Sequence, residues 1–395
     1  MRVGIFVSTN PQESGGGYTY EHAVLESIVK LAPTTNHDFL IFSSDPHFRI
    51  ENENFDKKIE YFRIPKNNLL IRLIEQFYLA FNSILVTKIY FRFLPLMNSI
   101  RRFNIDFIIF LHPKHGIVDI PSMTPVWDLQ HRVQPWFPEV SENGEWEIRE
   151  RYYQKVLPRS TFILTGTHRG MNEIHCFYRI PTDRIKITPL PTPLDVLQPT
   201  NKESDILQKN GIKGEFLLYP AQFWLHKNHV NCIRALDILH NQFQRKISLV
   251  FIGSDKGNLA IIQNAIIKHN LSDYVHTLGF VSRQDLISLY QNASAMLFPT
   301  LFGPDNIPPL EAFALGCPVI ASDIPGAKEQ LGDAAILINP LDPKSIADAI
   351  ERLSSDEQFR QKIREKGLQR ARSWTSDNYA REILSLLDEF ERKIG

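Results

Sequence analysis

Short apolar runs recur along this chain, and each ends in a polar or glycine-containing loop. They cover residues 3–7, 39–43, 107–111, 162–165, 216–219, 247–252, 275–278, 295–298, 319–321 and 335–338. Segments with helical spacing, such as residues 20–31, separate them. Continuously apolar strands that alternate with helices are typical of parallel sheets covered on both faces. The pattern therefore predicts an α/β fold.

The pattern stops and restarts at a loop rich in proline and polar residues, Pro189 to Asn201. A chain of 395 residues is also too long for one ordinary core. We predict an N-terminal α/β domain over residues 1–200 and a second one over residues 201–374. Residues 375–395, after Trp374, have the pattern of an amphipathic helix.

Composition narrows the classes of function. The formal net charge is zero, which does not support nucleic acid as a partner. The three cysteines are far apart and lack metal-ligand spacing, which favours buried thiols in a reducing compartment. We find no secretory signal and no apolar run long enough to cross a bilayer, and we therefore expect a cytoplasmic protein.

Residues 69–103 combine Leu, Ile and Phe with several Arg and Lys residues and a single Glu. One interpretation is a pair of core helices with solvated ends. The other is a basic, apolar surface that rests on the inner face of an anionic plasma membrane. The sequence leaves both open.

The stretch FGPDNIPPLEAFALGCPVIAS, residues 302–322, contains the most informative group of candidate ligand-binding residues. Pro308 and Pro309 are suited to a helix start, and Gly316 to its end. The loop from Gly303 to Ile307 would then lie at a helix N-terminus, where a phosphate is favoured. Glu311, in the first turn, either complements the helix dipole or accepts hydrogen bonds from ligand hydroxyls.

The segment PPLEAFALGCPVIAS resembles the donor-site signature of retaining glycosyltransferases of family four, which have the GT-B fold. Glu311 matches the second Glu of that motif and is expected to hold a ribose. The first Glu falls at Gly303, and Asp305 and Asn306 occupy the loop instead. The resemblance implies that the helix start at Pro308, with the amides of Asn306 and Ile307, holds the donor diphosphate. Asp305 is the first candidate to contact the sugar, and the Gly303–Pro304 backbone is the second.

Two further segments resemble donor-site elements of the same family. In LYPAQFWLHKNHVNCIRAL, Lys227 matches a lysine that neutralises the diphosphate, and Gln222 stands where an arginine is usual. A single lysine still stabilises a leaving diphosphate as a point charge. Leu278 to Val281 resembles the segment that lies against the nucleobase, which places Phe280 and Val281 there. Alone, each segment would also fit an ordinary loop or strand end.

In the first half, the loop containing Gly15, Gly16 and Gly17 follows the first strand, where glycine allows a close approach of backbone to ligand. The resemblance places Gly16 and Gly17 near the diphosphate and the acceptor. Three glycines would also suit a flexible turn.

PVWDLQHRVQPWFPEVS, residues 125–141, resembles the family's His-Asp segment. Asp128 is retained, Trp127 replaces the usual His, and His131 follows closely. With Lys227 and Asp305, we expect Asp128 and His131 to be the catalytic residues. Trp136 is either a stacking face for a sugar ring or ordinary core. LHPKHG, residues 111–116, offers His112, Lys114 or His115 to the acceptor.

No Asp-x-Asp pair occurs in the chain. We therefore expect no metal and no other cofactor, with the diphosphate charge carried by Lys227 and a helix N-terminus. The resemblance implies two Rossmann-like domains that face each other across a deep cleft, and hexose transfer with retention. It implies that residues 1–200 bind the acceptor, that residues 201–374 bind the nucleotide-sugar donor, and that the helix over residues 375–395 crosses back onto the first domain. UDP-glucose is the first expected donor. The expected acceptor is an oligosaccharide or lipid-linked glycan in surface polysaccharide biosynthesis. A sugar-nucleotide epimerase and a non-catalytic sugar-nucleotide or glycan binder are the alternatives.

Overall fold

A computed structural model describes residues 1–8, 15–45, 59–199, 204–303 and 305–395. The chain forms two compact units. Unit 1 contains Met1–Trp136, Val140–Pro189 and Ser376–Gly395, and unit 2 contains Phe137–Glu139 and Leu190–Thr375. Each unit is an α/β layer structure built on one parallel sheet.

Unit 1 contains a parallel sheet of seven strands in the order β3-β2-β1-β4-β5-β6-β7. The strands are β1 (Arg2–Val7), β2 (Asp38–Ser43), β3 (Ile59–Arg63), β4 (Phe107–Phe110), β5 (Ser122–Pro125), β6 (Phe162–Thr165) and β7 (Ile185–Ile187). In register, Val3 of β1 pairs with Phe39 of β2 on one side and with Phe107 of β4 on the other. The first strand therefore lies inside the sheet.

Unit 2 contains a parallel sheet of six strands in the order β10-β9-β8-β11-β12-β13. The strands are β8 (Phe216–Pro220), β9 (Ser248–Ile252), β10 (Val275–Thr277), β11 (Ala295–Phe298), β12 (Val319–Ser322) and β13 (Ala335–Ile338). The strands β8, β9, β11 and β12 are almost entirely buried, as expected for a sheet covered on both faces.

Helices cover the two sheets. In unit 1 they are α1 (Gly16–Leu31), α2 (Leu69–Ala80), α3 (Ile84–Phe93), α4 (Pro95–Arg102), α5 (Gln130–Val133), α7 (Glu145–Val156), α8 (His168–Tyr178) and α18 (Ser376–Ile394), while the short α6 (Pro138–Ser141) overlaps the segment grouped with unit 2. In unit 2 they are α9 (Leu194–Leu197), α10 (Ile206–Lys209), α11 (His229–Asn241), α12 (Leu259–Lys268), α13 (Arg283–Asn292), α14 (Ile307–Ala314), α15 (Ala327–Leu331), α16 (Pro343–Ser355) and α17 (Glu357–Ser373).

The last helix, α18, packs inside unit 1 against α1. The hydroxyls of Tyr20 and Tyr379 lie 2.8 Å apart in the core, and Ser27 Oγ donates to Ser376 Oγ at 3.0 Å. At the surface, Lys30 Nζ lies 2.6 Å from Asp377 Oδ2. Unit 1 is therefore completed by the end of the chain.

All ten predicted apolar runs form strands, with ends within two residues of the predicted ones. The pattern missed β3, β5 and β7. Strand β3 (IEYFR) is interrupted by charged residues, β5 (SMTP) contains two polar residues and a proline, and β7 (IKI) has only three residues, one of them charged. Strands β3 and β7 are the edges of the sheet while β5 lies inside it, and all three lack a continuous apolar run.

The predicted stretch 69–103 divides into two parts. Helix α4 buries four of its eight residues. In the hairpin formed by α2 and α3, most residues are not buried. Tyr78 is the buried side chain of α2, and α3 buries Tyr90 and Phe91. Among the described residues, no helix is apolar over a length that would cross a bilayer.

The order of both sheets reverses beside their first strands. Strand β1 lies between β2 and β4, and β8 lies between β9 and β11. Ligands of open parallel sheets bind at the carboxyl ends of the strands beside such a reversal. In unit 2 this position brings together the loop after β8 and the loop after β11.

Candidate active site

The loops after β8 and β11 are joined by hydrogen bonds. Leu301 N donates to the His226 carbonyl at 2.8 Å, and Asn228 Nδ2 donates to the Pro299 carbonyl at 3.0 Å. These contacts hold the segment around Lys227 beside the loop that leads into α14. The two predicted diphosphate elements therefore lie side by side in unit 2.

Helix α14 begins at Ile307, one residue before the predicted proline pair, and Asn306 precedes it in an extended conformation. Prolines at the start lose no intrahelical hydrogen bond. The predicted C-terminal stop is confirmed. Gly316 has φ +72°, and Cys317 N donates back to the Ala312 carbonyl at 2.8 Å, as in a glycine C-cap.

Glu311 is buried, with 3% of its surface exposed, and is held by two side chains. Arg283 Nη1 donates to Glu311 Oε1, and Tyr290 Oη donates to Glu311 Oε2 at 3.1 Å. Arg283 also donates to both oxygens of Asp195, at 2.7 and 3.0 Å. Burial would lower the pKa of Arg283, but the Glu311 and Asp195 carboxylates outweigh it and raise that pKa. Arg283 therefore stays charged and fixes the carboxylate that was predicted to hold a ribose.

The loop before α14 is tied to its surroundings through Asp305 and Asn306. Asp305 Oδ2 accepts a hydrogen bond from Leu190 N at 2.7 Å. The backbone of Asn306 exchanges two hydrogen bonds with the side-chain amide of Gln330, at 3.0 and 2.7 Å. Asn306 Nδ2 also donates to the Gly303 carbonyl. The predicted diphosphate amide of Asn306 thus already has a partner, while Pro304 lies outside the described residues.

Tyr219 stabilises the backbone of the loop after β8, because its hydroxyl donates to the Lys227 carbonyl at 2.6 Å. Lys227 Nζ lies 4.9 Å from the centre of the Phe298 ring, over its face. Gln222 Oε1 accepts from Trp224 Nε1 at 3.0 Å. Lys227 and Gln222, the two residues matched to the predicted diphosphate element, therefore both lie on the loop after β8.

Residues 137–139 form a buried cluster with this loop inside unit 2. Glu139 Oε1 accepts hydrogen bonds from the backbone N and from Nδ1 of His226. The His226 ring stacks on Phe302 at 3.8 Å, and Phe137 packs edge-on against Phe302 at 5.2 Å. Burial would raise the pKa of Glu139, but the hydrogen bonds from His226 outweigh it and lower that pKa.

The predicted nucleobase segment follows β10. Leu278 N donates to the Phe251 carbonyl at 3.0 Å, and Gly253 N donates to the Gly279 carbonyl at 2.9 Å. Gly253 has φ +148°, and a Cβ there would lie 2.4 Å from the Ala221 carbonyl oxygen. Phe280 is 48% exposed and Val281 is half-buried. Glycine at 253 therefore allows the loops after β8, β9 and β10 to touch.

In unit 1, the glycine loop leads into α1. Gly15, with φ +77°, precedes the helix, and Gly16 is its first residue. A Cβ on Gly17 would lie 3.1 Å from the ring of Trp127. Trp127, the residue predicted to replace a His, is thus the side chain that lies close to Gly17. The Trp127 ring also meets His112 edge-on at 4.9 Å.

Asp128 and His131 have different environments. Asp128 is half-buried, and its Oδ1 accepts from Gln130 N at 3.0 Å and from Arg149 at 3.1 Å. His131 is completely buried, with Nε2 3.3 Å from both Glu150 Oε2 and the Tyr178 hydroxyl. Burial and the nearby Arg149 charge lower the pKa of His131. The ring has no exposed surface with which to touch a sugar, and this position favours a structural role over the predicted catalytic one.

The remaining candidate site residues of unit 1 also differ from one another in burial and in their contacts. His115 is buried and stacked on Phe110 at 3.5 Å, and burial lowers its pKa to about 3. Lys114 Nζ pairs with Glu145 Oε1 at 3.2 Å. Trp136 is 70% exposed and is therefore not a core residue.

One group among the described residues has metal-like spacing: His37, Asp388 and Glu391 of unit 1, whose ligand atoms lie within 4.8 Å of one another. His37 Nε2 is 3.0 Å from Asp388 Oδ1, and the Met1 amino group is 3.2 Å from Glu391 Oε1. Hydrogen bonds and ion pairs account for this group. It includes none of the predicted site residues.

Sequence reasoning missed Arg283, Tyr290, Gln330, Glu139 and His226. Arg283 and Tyr290 contact Glu311 from a helix that begins 28 residues earlier, and Gln330 contacts Asn306 from 24 residues later. No local spacing signals such pairs. His226 offered the one available signal, because it adjoins Lys227.

The second half of the chain is similar to known glycosyltransferases. The family model described as "Glycosyl transferases group 1" matches residues 202–370. An O-antigen chain mannosyltransferase B from Escherichia coli is 25% identical over 243 residues, or 60% of this chain and 64% of that one. The O-antigen chain mannosyltransferase RfbU from Salmonella typhimurium is 29% identical over 210 residues, or 52% and 56%. The chain thus aligns with less than two thirds of each relative.

Solved structures match nearly the whole chain. Sucrose-phosphate synthase from Thermosynechococcus elongatus has a TM-score of 0.74 at 16% identity and covers all of both chains. HepE from Anabaena, solved in complex with UDP-glucose, has a TM-score of 0.68 at 14% identity, covering 98% of this chain and 100% of the other. These likenesses confirm the predicted GT-B fold. The matched stretch 202–370 contains Gln222, Lys227, Arg283 and Glu311, so the donor-side residues described above lie in the part of the chain that is similar to glycosyl transferases group 1.

Proposed function

We propose that this protein transfers a hexose from a nucleoside diphosphate sugar to a glycan hydroxyl, with retention of configuration and without a metal ion. One observation carries the proposal. Lys227 and the N-terminus of α14 lie on two loops joined by hydrogen bonds at the carboxyl ends of β8 and β11, with buried Glu311 in the same helix. Cation, helix N-terminus and carboxylate match the diphosphate and ribose of a sugar nucleotide.

The chemistry follows from charge. Departure of the sugar leaves a diphosphate with extra negative charge, which Lys227 and the positive end of α14 stabilise. Glu311, oriented by Arg283 and Tyr290, accepts hydrogen bonds from ribose hydroxyls. Exposed Phe280 and half-buried Val281 supply an apolar edge for the base. Asp128, half-buried and paired with Arg149, is the carboxylate of unit 1 proposed to act at the acceptor.

The donor sugar is proposed at the level of a hexose. UDP-glucose remains the first donor to test, since HepE was solved in complex with it. A mannosyl donor is the second, because the two relatives described above are named mannosyltransferases. Both relatives act on O-antigen chains by name, which supports a polysaccharide acceptor.

Peripheral contact with the inner face of the plasma membrane through residues 69–103 is part of the proposal. The hairpin α2–α3 exposes large apolar side chains, including Leu70 at 62%, Ile84 at 77% and Leu85 at 68%. Lys88 and Arg92 lie on the same hairpin. Exposed apolar residues beside basic ones suit an anionic bilayer.

Isothermal titration tests the donor site. UDP, GDP and ADP are titrated first, then UDP-glucose and a mannosyl donor, with and without EDTA. We expect one nucleotide to bind, equally well in EDTA. The double variant Lys227→Ala, Glu311→Ala should weaken that binding by roughly a hundredfold, because two charged contacts are lost. The matched control Arg245→Ala, Glu351→Ala removes one cation and one carboxylate elsewhere in unit 2 and should leave affinity unchanged.

Undiminished affinity in the double variant would remove the site assignment. Activity separates the alternatives, because an epimerase would convert the sugar nucleotide without an acceptor. A non-catalytic binder would bind it and release no nucleotide when acceptors are added.

A further inference from the structure

A cavity of about 350 Å³ lies in unit 1, on the carboxyl side of the sheet. Phe6 near the end of β1, Ile64 after β3 and Leu94 between α3 and α4 form apolar walls. Lys66, Arg72 and Glu75 supply the charged groups. The size is that of a small-ligand pocket, and the carboxyl end of a parallel sheet is where such pockets are used.

The cations of this cavity are available to a ligand. Lys66 and Arg72 are exposed, and within the described part of the chain neither forms a hydrogen bond through its side chain or an ion pair within 4.0 Å. Glu75 is half-buried. Burial raises the pKa of Glu75, and the Arg72 charge partly offsets this. Two cations suit phosphate oxygens, and a carboxyl group suits a sugar hydroxyl.

The cavity adjoins the exposed apolar surface of the α2–α3 hairpin. Arg72 and Glu75 belong to α2, and so do Leu69, Leu73 and Phe77, which are 74%, 43% and 55% exposed. A phosphate group held by Arg72 would thus have apolar side chains within one helical turn. Such a juxtaposition fits a molecule with an anionic head and a hydrocarbon tail.

We propose that this cavity binds the phosphate or diphosphate of a lipid-linked glycan acceptor, with Lys66 and Arg72 on the phosphate, Glu75 on the adjoining sugar and the hydrocarbon chain along α2 and α3. The proposal rests on the proposed glycosyl transfer and names its acceptor class. It also accounts for the combination of a charged cavity and an uncovered apolar surface on one helix.

Farnesyl diphosphate is the test probe, titrated into the full chain, with inorganic pyrophosphate and farnesol as the head-only and tail-only controls. We expect farnesyl diphosphate to bind more tightly than either. Lys66→Ala with Arg72→Ala should weaken its binding by roughly tenfold or more, through lost charged contacts. The matched control Lys213→Ala with Lys268→Ala removes two exposed lysines of unit 2 and should not change it.

UDP binding and the unfolding temperature are measured on each variant. UDP affinity should be the same in Lys66→Ala, Arg72→Ala as in the unchanged protein, since neither residue belongs to the proposed donor site. Farnesyl diphosphate affinity that is unchanged in this variant, or matched by pyrophosphate or by farnesol, would overturn the lipid-phosphate site. Absence of any nucleotide binding would instead contradict the donor site and leave the farnesyl result to stand by itself.

Discussion

At the scale of single residues, Asp305 has an unusual environment for an acidic side chain of a donor loop. It accepts a hydrogen bond from Leu190 N at 2.7 Å. Burial raises the pKa of Asp305 to about 7, although the Leu190 N–H and Gln330 act to lower it. Because the neutral carboxyl is favoured, Asp305 is better suited to holding the loop than to carrying a full negative charge at neutral pH.

This pKa gives a pH-dependent prediction for Asp305→Asn. The reference pKa of an aspartate is 3.8, so between pH 4 and 7 the folded protein keeps a proton that the unfolded chain has lost. The contribution of Asp305 to the free energy of unfolding is full below about pH 4 and decreases as the pH rises to about 7. Asparagine has no such penalty. We therefore expect the unfolding temperature of the variant, relative to the unchanged protein, to be several degrees higher at pH 8 than at pH 5.

The exposed carboxyl of Asp323 provides the control. Asp323→Asn lies in the same unit and should shift the unfolding temperature equally at both pH values. A shift for Asp305→Asn that is also independent of pH would contradict the buried, proton-holding carboxyl.

Single residues also show which positions local sequence patterns can and cannot place. Glu311 and Lys227 were each predicted from a motif within a single strand–loop–helix unit. The structure places Lys227 on the loop after β8 and Glu311 in α14, and the loop that leads into α14 is hydrogen-bonded to the loop after β8. His131 was assigned by proximity to Asp128 alone. A one-dimensional distance does not say which way a side chain points, and the ring lies in the core. The role of Gly17 depends on Trp127, 110 residues away, and could not be predicted locally.

At the scale of elements, the α2–α3 hairpin stands out among the described helices because many of its large apolar side chains are exposed. Tyr78 and Tyr90 stack at 4.3 Å and hold the two helices together from the buried side. The arginines at the C-terminal end of residues 69–103 are less available to a membrane, because they already have contacts within unit 1. Arg101 donates to the Phe91 carbonyl at 3.0 Å, and Arg102 lies over Phe62 and Phe103. Membrane contact is therefore better tested on the apolar residues of the hairpin than on these arginines.

Leu70→Ser with Leu85→Ser should reduce pelleting with phosphatidylglycerol vesicles by roughly tenfold or more, because inserting each leucine into a bilayer stabilises binding through apolar burial. Binding should also weaken as salt screens Lys88 and Arg92. The control is Ile261→Ser with Ile267→Ser, which changes two apolar residues of α12 that are 52% and 66% exposed. Equal pelleting of both variants would assign no membrane role to the hairpin.

The same hairpin illustrates a limit of pattern reasoning about elements. Apolar runs identified the strands buried on both faces because burial there requires every side chain to be apolar. For residues 69–103, a core and a membrane surface impose the same composition, so the sequence left both interpretations open. What distinguishes them is whether other elements cover α2 and α3, and that depends on the packing of residues far away in the chain.

At the scale of the whole molecule, unit 1 is built from both ends of the chain. Helix α18 contributes buried apolar side chains to unit 1: Tyr379, Ala380, Ile383, Leu384, Leu386, Leu387 and Phe390. Burial of a large apolar side chain stabilises by about 1.5–3 kcal/mol. Several of them together contribute on the order of 10 kcal/mol, which is comparable to the whole stability of a domain.

A fragment of residues 1–189 should therefore not fold stably alone, and a peptide of residues 376–395 should restore its folded state. Near-ultraviolet circular dichroism and the unfolding temperature of the mixture measure this. A peptide with Tyr379→Ala and Leu387→Ala should fail, because both side chains are buried and Tyr379 also loses its hydroxyl contact with Tyr20. A peptide with Lys393→Ala, an exposed change, should succeed. Cooperative unfolding of fragment 1–189 without any peptide would mean that α18 is dispensable, and that unit 1 obtains its stability from the β1–β7 sheet and the helices encoded before residue 190.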